Sequence, residues 1–147
     1  MNHIQDEPVD ILLVEDNIGD VRLTQEAFKE ARFNYNLHIA RDGIEALSYL
    51  RKQGKYKDAI RPDIVLLDLN MPKKDGRQVL IEIKADDTLK RLPVIVLTTS
   101  ETTEDIIRSY NLHANCYITK PLKINHFIGV IQTIDEFWLK IARLPQE

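Results

Sequence analysis

A chain of 147 residues has room for one domain of ordinary size, and 44% hydrophobic with 29% charged residues is the balance of a globular chain, not a disordered one. Lys and Arg number 20 against 23 Asp and Glu, a formal net charge of -3, so the basic excess of a nucleic-acid-binding surface is missing. No apolar run approaches the ~20 residues that cross a bilayer, and neither nucleic acid nor membrane is an expected partner.

Residues 1–8 read as an N-terminal extension in which Asp6, Glu7 and Pro8 take the place of the apolar core of a secretory signal. The domain proper is expected to run over 9–147. It starts with VDILLV at 9–14, a strand apolar on both faces, as strands buried beneath helices are. Asn17 and Asp20 then mark a helix start ahead of Val21, Thr24, Phe28 and Ala31. Residues 37–40 form a weaker strand, and Asp42 with Glu45 has capping-box spacing before Leu47 and Leu50. The polar stretch GKYKDAIRP at 54–62 is expected to be a surface loop. IVLLDL at 64–69 is a second strongly apolar strand, followed by a helix over 77–84 that presents Val79, Leu80 and Ile83. VIVLT at 94–98 is a third, and a short helix over 103–110 carries Ile106, Ile107 and Tyr110. Residues 116–119 are a weak last strand, opened by Cys116, which reads as a small core residue. As the single cysteine it cannot form an internal disulfide, and with the missing signal this points to a reducing cytoplasm. A long apolar helix over 124–144 closes the chain. Strands alternating with helices predict an α/β fold, a doubly wound five-stranded parallel sheet, with no residues left for an output domain.

Ligands of such sheets bind beyond the carboxyl ends of the strands. Glu15 and Asp16 follow the first strand, Asp68 closes the third with Asn70 just beyond, Thr98 and Thr99 end the fourth, and Lys120 and Pro121 follow the fifth. Each has a plainer explanation: a helix cap for the Asp, β propensity for the Thr, a solvated loop charge for the Lys. Their coincidence at four strand ends outweighs those explanations. Three carboxylates beside one ammonium repel one another in a low dielectric unless a divalent cation joins them, and hard oxygen donors suit Mg²⁺ better than zinc. His3, His38, His113 and His126 share no ligand spacing. Dinucleotide, P-loop and nucleophile-elbow motifs are absent.

The segments VDILLVEDN, IVLLDLNMPKKDG, PVIVLTTS and CYITKP resemble the receiver domain of two-component response regulators, and the resemblance covers nearly the whole chain. It implies a flavodoxin-like sheet of order 2-1-3-4-5. It implies that Asp68 is the phosphoacceptor, with Mg²⁺ held by Glu15, Asp16, Asp68 and the backbone carbonyl of Asn70. Thr98 would meet the phosphoryl oxygens with Thr99 beside it, Lys120 would pair with them, Tyr117 would be the aromatic switch, and the bond before Pro121 would be cis. The implied donor is a sensor histidine kinase. The implied output is a change of the face formed by the fourth and fifth predicted helices and the fifth strand, read by a downstream protein or phosphotransfer partner. Such domains also hydrolyse their own acyl phosphate slowly, so the implied protein is a switch and not a metabolic enzyme. The long connection before the third strand, SYNLHANCYITKP and the FWL at 137–139 narrow the resemblance to the small regulators of cyanobacterial-type phytochrome kinases. The chain departs from the family pattern in three places: that connection before the third strand is longer than usual, His113-Ala114 stands where Gly-Ala is common, and Thr99 where Ala or Ser is common, which narrows access to the phosphoryl group.

Two other classes share parts of this pattern. A phosphatase of the haloacid dehalogenase type needs a second Asp two positions after the first, where this chain has Asn70. A flavodoxin-like flavin carrier shares the architecture, which fold alone leaves open. The last helix carries one further expectation. At ~100° per residue its apolar side chains cover roughly 200° of the circumference, about twice what docking on a sheet uses. Phe127, Val130, Ile134, Phe137, Trp138 and Ile141 are therefore expected to include the surface of a homodimer.

Overall fold

The structure is a computed structural model that describes residues 8–69, 71, 76–98 and 116–131, the side chains of Thr98 and Ile131 excepted. Its strands are β1 (Val9–Val14), β2 (Tyr35–Ala40), β3 (Ile64–Asp68), β4 (Val94–Thr98) and β5 (Cys116–Thr119). They form one sheet of order β2-β1-β3-β4-β5 in which every pair is parallel. Its helices are α1 (Ile18–Phe28), α2 (Gly43–Leu50), α3 (Gly76–Ala85) and α4 (Ile124–Ile131). The side-chain period of two sorts each strand between two cores. Leu12, Val14, Val65, Leu67, Val94 and Val96 meet α2 and α3 on one face, while Ile11, Leu13, Ile64, Leu66, Ile95 and Leu97 meet α1 and α4 on the other. Burying each of these side chains stabilises the fold by ~1.5–3 kcal/mol, which makes the three central strands a rigid base for whatever their ends carry.

The edge strands explain the weaker signals. Among the described residues β2 and β5 are the edges of the sheet, and only Ala40 and Ile118 of their residues are buried, Cys116 being partly so, which means that neither needs an unbroken apolar run. β2 also starts two residues before the expected 37, because Tyr35 pairs with Val9 and its ring lies 5.2 Å from that of Phe28.

Both expected helix caps form. Asn17 Oδ1 accepts from the Asp20 amide at 2.9 Å, and Asp42 Oδ1 from the Glu45 amide at 2.8 Å. The return bond of the second cap is displaced by one residue: Glu45 Oε1 accepts from the Arg41 amide at 2.7 Å. α1 ends at Phe28, three residues short of Ala31, where the Ala31 amide turns back to the Phe28 carbonyl at 3.0 Å. The loop after α2 is tied down as well as exposed. Its Tyr56, at the end of a 3-10 turn over Gly54–Tyr56, packs against the ring of Tyr49 at 5.3 Å and donates its hydroxyl to Glu45.

One expectation about α4 is corrected. Phe127 is fully buried, its ring 5.0 Å from Phe28 in edge-on contact, so it belongs to the core and not to a dimer surface. Ile124 and Phe127, three residues apart, form the stripe that faces the sheet. Val130 is partly buried at the rim, and Asn125, His126 and Gly129 face solvent. Ile134, Phe137, Trp138 and Ile141 lie outside the described residues, as do the predicted helix over 103–110, His113-Ala114 and residues 1–7 of the expected extension. No helix among the described residues is long and apolar enough to cross a membrane.

Candidate functional site

The parallel register brings the carboxyl ends of β1, β3 and β5 to one edge, since Val14 pairs with Leu67, Asp68 with Leu97 and Thr98 with Thr119. Glu15 and Asp16 leave β1 there, Asp68 is the last residue of β3, and Lys120 follows β5, its own bond to Pro121 being cis. One oxygen from each of Glu15, Asp16 and Asp68 lies within 4.8 Å of the other two. Glu15 is fully buried, Asp68 nearly so, and Asp16 half-buried. The Lys120 ammonium sits 2.6 Å from Glu15 Oε1, 2.9 Å from Asp20 Oδ2 and 3.5 Å from Asp68 Oδ1.

Burial pushes the Glu15 carboxyl up to about 7, with the Asp68 charge adding to the rise and Lys120 opposing it. Burial would lower Lys120, but its close pairing with Glu15 and Asp20 and the charge of Asp68 outweigh it and hold the ammonium above its usual range. The 2.6 Å contact is an ion pair without hydrogen-bond alignment, which leaves Glu15 Oε1 a buried acceptor with no aligned donor. A buried oxygen in that condition, converging with two further carboxylates, fits a divalent cation with hard-ligand preference.

Linkage gives this crowding a measurable sign. From about pH 4.5 to about 7 the folded, metal-free chain holds a proton on Glu15 that the unfolded chain releases, so stability is expected to fall as pH rises through that window. Asp16→Asn removes a neighbouring charge. Denaturation is expected to find the metal-free variant at least as stable as the parent, and divalent-ion titration to find affinity reduced roughly tenfold or more. Equal affinity in variant and parent would remove Asp16 from the ligand set.

Three contributors escaped the sequence reading. Asp20 was legible only as part of a helix start, although it stands one helical turn beyond Asp16 on the chain. Arg41 donates to the Asp16 carbonyl at 3.2 Å, while its own amide is held by Glu45. Gly76 approaches the backbone beneath the site so closely that a Cβ there would lie 2.1 Å from the Asp68 carbonyl oxygen and 2.6 Å from Leu69 Cα. Its amide donates to the Leu69 carbonyl at 3.0 Å. The signal was the Asp-Gly pair of NMPKKDG, a turn dipeptide.

Tyr117 is half-buried against the core that α2 and α3 share, and with Lys120, Pro121 and His126 it lines a cavity of about 690 Å³ between β5 and α4. Asn70, Thr99 and the Thr98 side chain lie outside the described residues. His38 meets Asp10 at 3.4 Å, apart from the acidic group.

Fold and site together define an α/β domain with a cluster of carboxylates that could hold a divalent cation at the carboxyl edge of its sheet. Residues 11–132 match the response regulator receiver domain, and the chain belongs to that family. It is 50% identical over 138 residues to the response regulator Rcp1 of Synechocystis sp., a match spanning 94% of each chain. The Mn²⁺-bound form of Rcp1 superposes with a TM-score of 0.75, covering 95% of this chain and all of that one. The phosphorylated cyanobacterial phytochrome response regulator RcpA is 52% identical with a TM-score of 0.76, again over 95% of this chain and 100% of that one. The bacteriophytochrome response regulator AtBRR is 41% identical with a TM-score of 0.83 over 96% and 99%. The chain is thus a receiver, a signalling switch that works with a histidine kinase, and the phosphatase and flavin-carrier alternatives fall away.

Proposed function

We propose that Asp68 accepts a phosphoryl group from a phosphohistidine of a sensor kinase. The observation that carries this is the placement of Asp68 itself: nearly buried at the end of β3, within 4.8 Å of two other carboxylates and 3.5 Å from the Lys120 ammonium. An Asp68 oxygen attacks phosphorus in line, the P–N bond breaks, and its electron pair stays on the imidazole nitrogen, which takes a proton from solvent. Glu15, Asp16, Asp68 and the Asn70 carbonyl would hold Mg²⁺, which when bound would supply the positive charge that lets two anions meet. Lys120 adds a second positive charge from the β5 side. With phosphate in place, Thr98 and Lys120 close on its oxygens, Thr99 limits the approach of the water that removes it, and Tyr117 turns inward from the cavity it lines. Slow self-hydrolysis then resets the switch. Incubation with Mg²⁺ and acetyl phosphate, followed by mass spectrometry, is expected to find a hydroxylamine-labile phosphate on Asp68. Its absence, or its presence on another residue, would overturn the reading.

The likeness to RcpA and AtBRR supports a phytochrome-type kinase as donor, and we infer a cytoplasmic switch whose output passes to a downstream protein or phosphotransfer partner. We also infer a homodimer through the chain beyond α4. Val130 and Phe137, seven residues apart, lie on a stripe separate from Ile124 and Phe127, which already satisfy the sheet, and Ile134, Trp138 and Ile141 extend the apolar sequence beyond α4. Sedimentation at micromolar concentration is expected to show a dimer that tightens on phosphorylation. A strict monomer in both states would reject it.

A further inference from the structure

Lys120 is shared among three carboxylates, and the shares are unequal. Its ammonium lies within hydrogen-bond distance of Glu15 and Asp20, at 2.6 and 2.9 Å, but 3.5 Å from Asp68, beyond the range of a charge-assisted bond. Asp20 is the unexpected member. It lies 100 positions from Lys120 in sequence and outside the group of three carboxylates that converge for a cation. Its carboxylate is not used by the helix cap either, because that bond joins the Asn17 side chain to the Asp20 amide.

We propose that Asp20 is a positioning residue that holds Lys120 back from Asp68 in the unphosphorylated protein, so that a phosphoryl group on Asp68 competes with Asp20 for the same ammonium. The inference rests on Asp68 being the phosphoacceptor. Solvent exposure says which partner Lys120 gives up. The Glu15 side chain is 1% exposed and has no water to replace a departing ammonium, whereas that of Asp20 is 32% exposed and rehydrates when the pair opens. Lys120 itself is 10% exposed, so the contact is only weakly screened by salt. Release of Asp20 is therefore the low-energy way to swing Lys120 toward Asp68 while Glu15 stays paired. It also links the first turn of α1 to the state of the site.

The test is titration of the purified chain with trifluoroberyllate in excess Mg²⁺, a phosphoryl mimic that binds a phosphoacceptor carboxylate without covalent chemistry. Asp20→Asn, of nearly equal size, is expected to tighten binding roughly two- to fivefold, the effect of one partly exposed ion pair. Asp20→Glu, which restores a carboxylate, is expected to return toward the parent affinity. In a Lys120→Ala background the Asp20→Asn effect is expected to vanish. An unchanged or weaker affinity in Asp20→Asn would overturn the role for Asp20. So would a gain that persists without Lys120, because it would reflect only the loss of a nearby negative charge. Failure of the parent itself to bind trifluoroberyllate would instead overturn the phosphoacceptor reading, and this inference with it.

Discussion

Asp68→Asn is expected to abolish phosphoryl uptake from both a kinase and acetyl phosphate while the protein stays folded. The amide matches the carboxylate in size, so the core beneath β3 is undisturbed, but an amide oxygen lacks the charge to attack phosphorus. Asp68 also contributes to the repulsion that raises Glu15, and its neutralisation relieves part of that crowding. Denaturation of the metal-free variant is therefore expected at or above the parent midpoint, together with complete loss of the hydroxylamine-labile phosphate. Normal stoichiometric transfer to the variant would refute the assignment of the acceptor.

The second large effect is expected at a residue with no functional group. Gly76→Ala would place a methyl group 2.1 Å from the Asp68 carbonyl oxygen and 2.6 Å from Leu69 Cα, both of them backbone atoms that no rotamer change can move aside. Either α3 retreats or the end of β3 shifts. Overpacking of this kind destabilises by about 1–3 kcal/mol or more. Displacing Asp68 by even ~1 Å from its line of attack slows transfer by about 100-fold. Chemical denaturation and the rate of phosphorylation by acetyl phosphate measure the two effects separately. A variant with parental stability and rate would show that the close approach of α3 to β3 is not required.

Gly76 also separates what is readable in one dimension from what is not. The Asp75-Gly76 pair is a turn dipeptide, a signal that local chemistry carries. Its contact with Asp68 depends on where α3 lands on the sheet. Phe127 makes the same point from the other side. The sequence pattern around 124–144 holds several apolar stripes of equal merit, and only docking against Phe28 selects Ile124 and Phe127 as the buried one.

The central strands were legible because a strand covered on both faces must be apolar at successive positions, a demand that VDILLV, IVLLD and VIVLT meet without help from distant residues. The caps at Asn17 and Asp42 were legible because they act within three residues. Glu15, Asp16, Asp68 and Lys120 could be named because a parallel sheet delivers all strand ends to one edge whatever the details of packing. What lies between elements was decided by tertiary structure alone. The length of β2 depends on the pairing of Tyr35 with Val9, the loop at Tyr56 on its contact with Tyr49, and the division of Lys120 among Glu15, Asp20 and Asp68 on how α1 meets β5. The physical reason is range: propensity, capping and burial periodicity act over a few residues, whereas an ion pair spanning 100 positions exists only once the chain has folded back on itself.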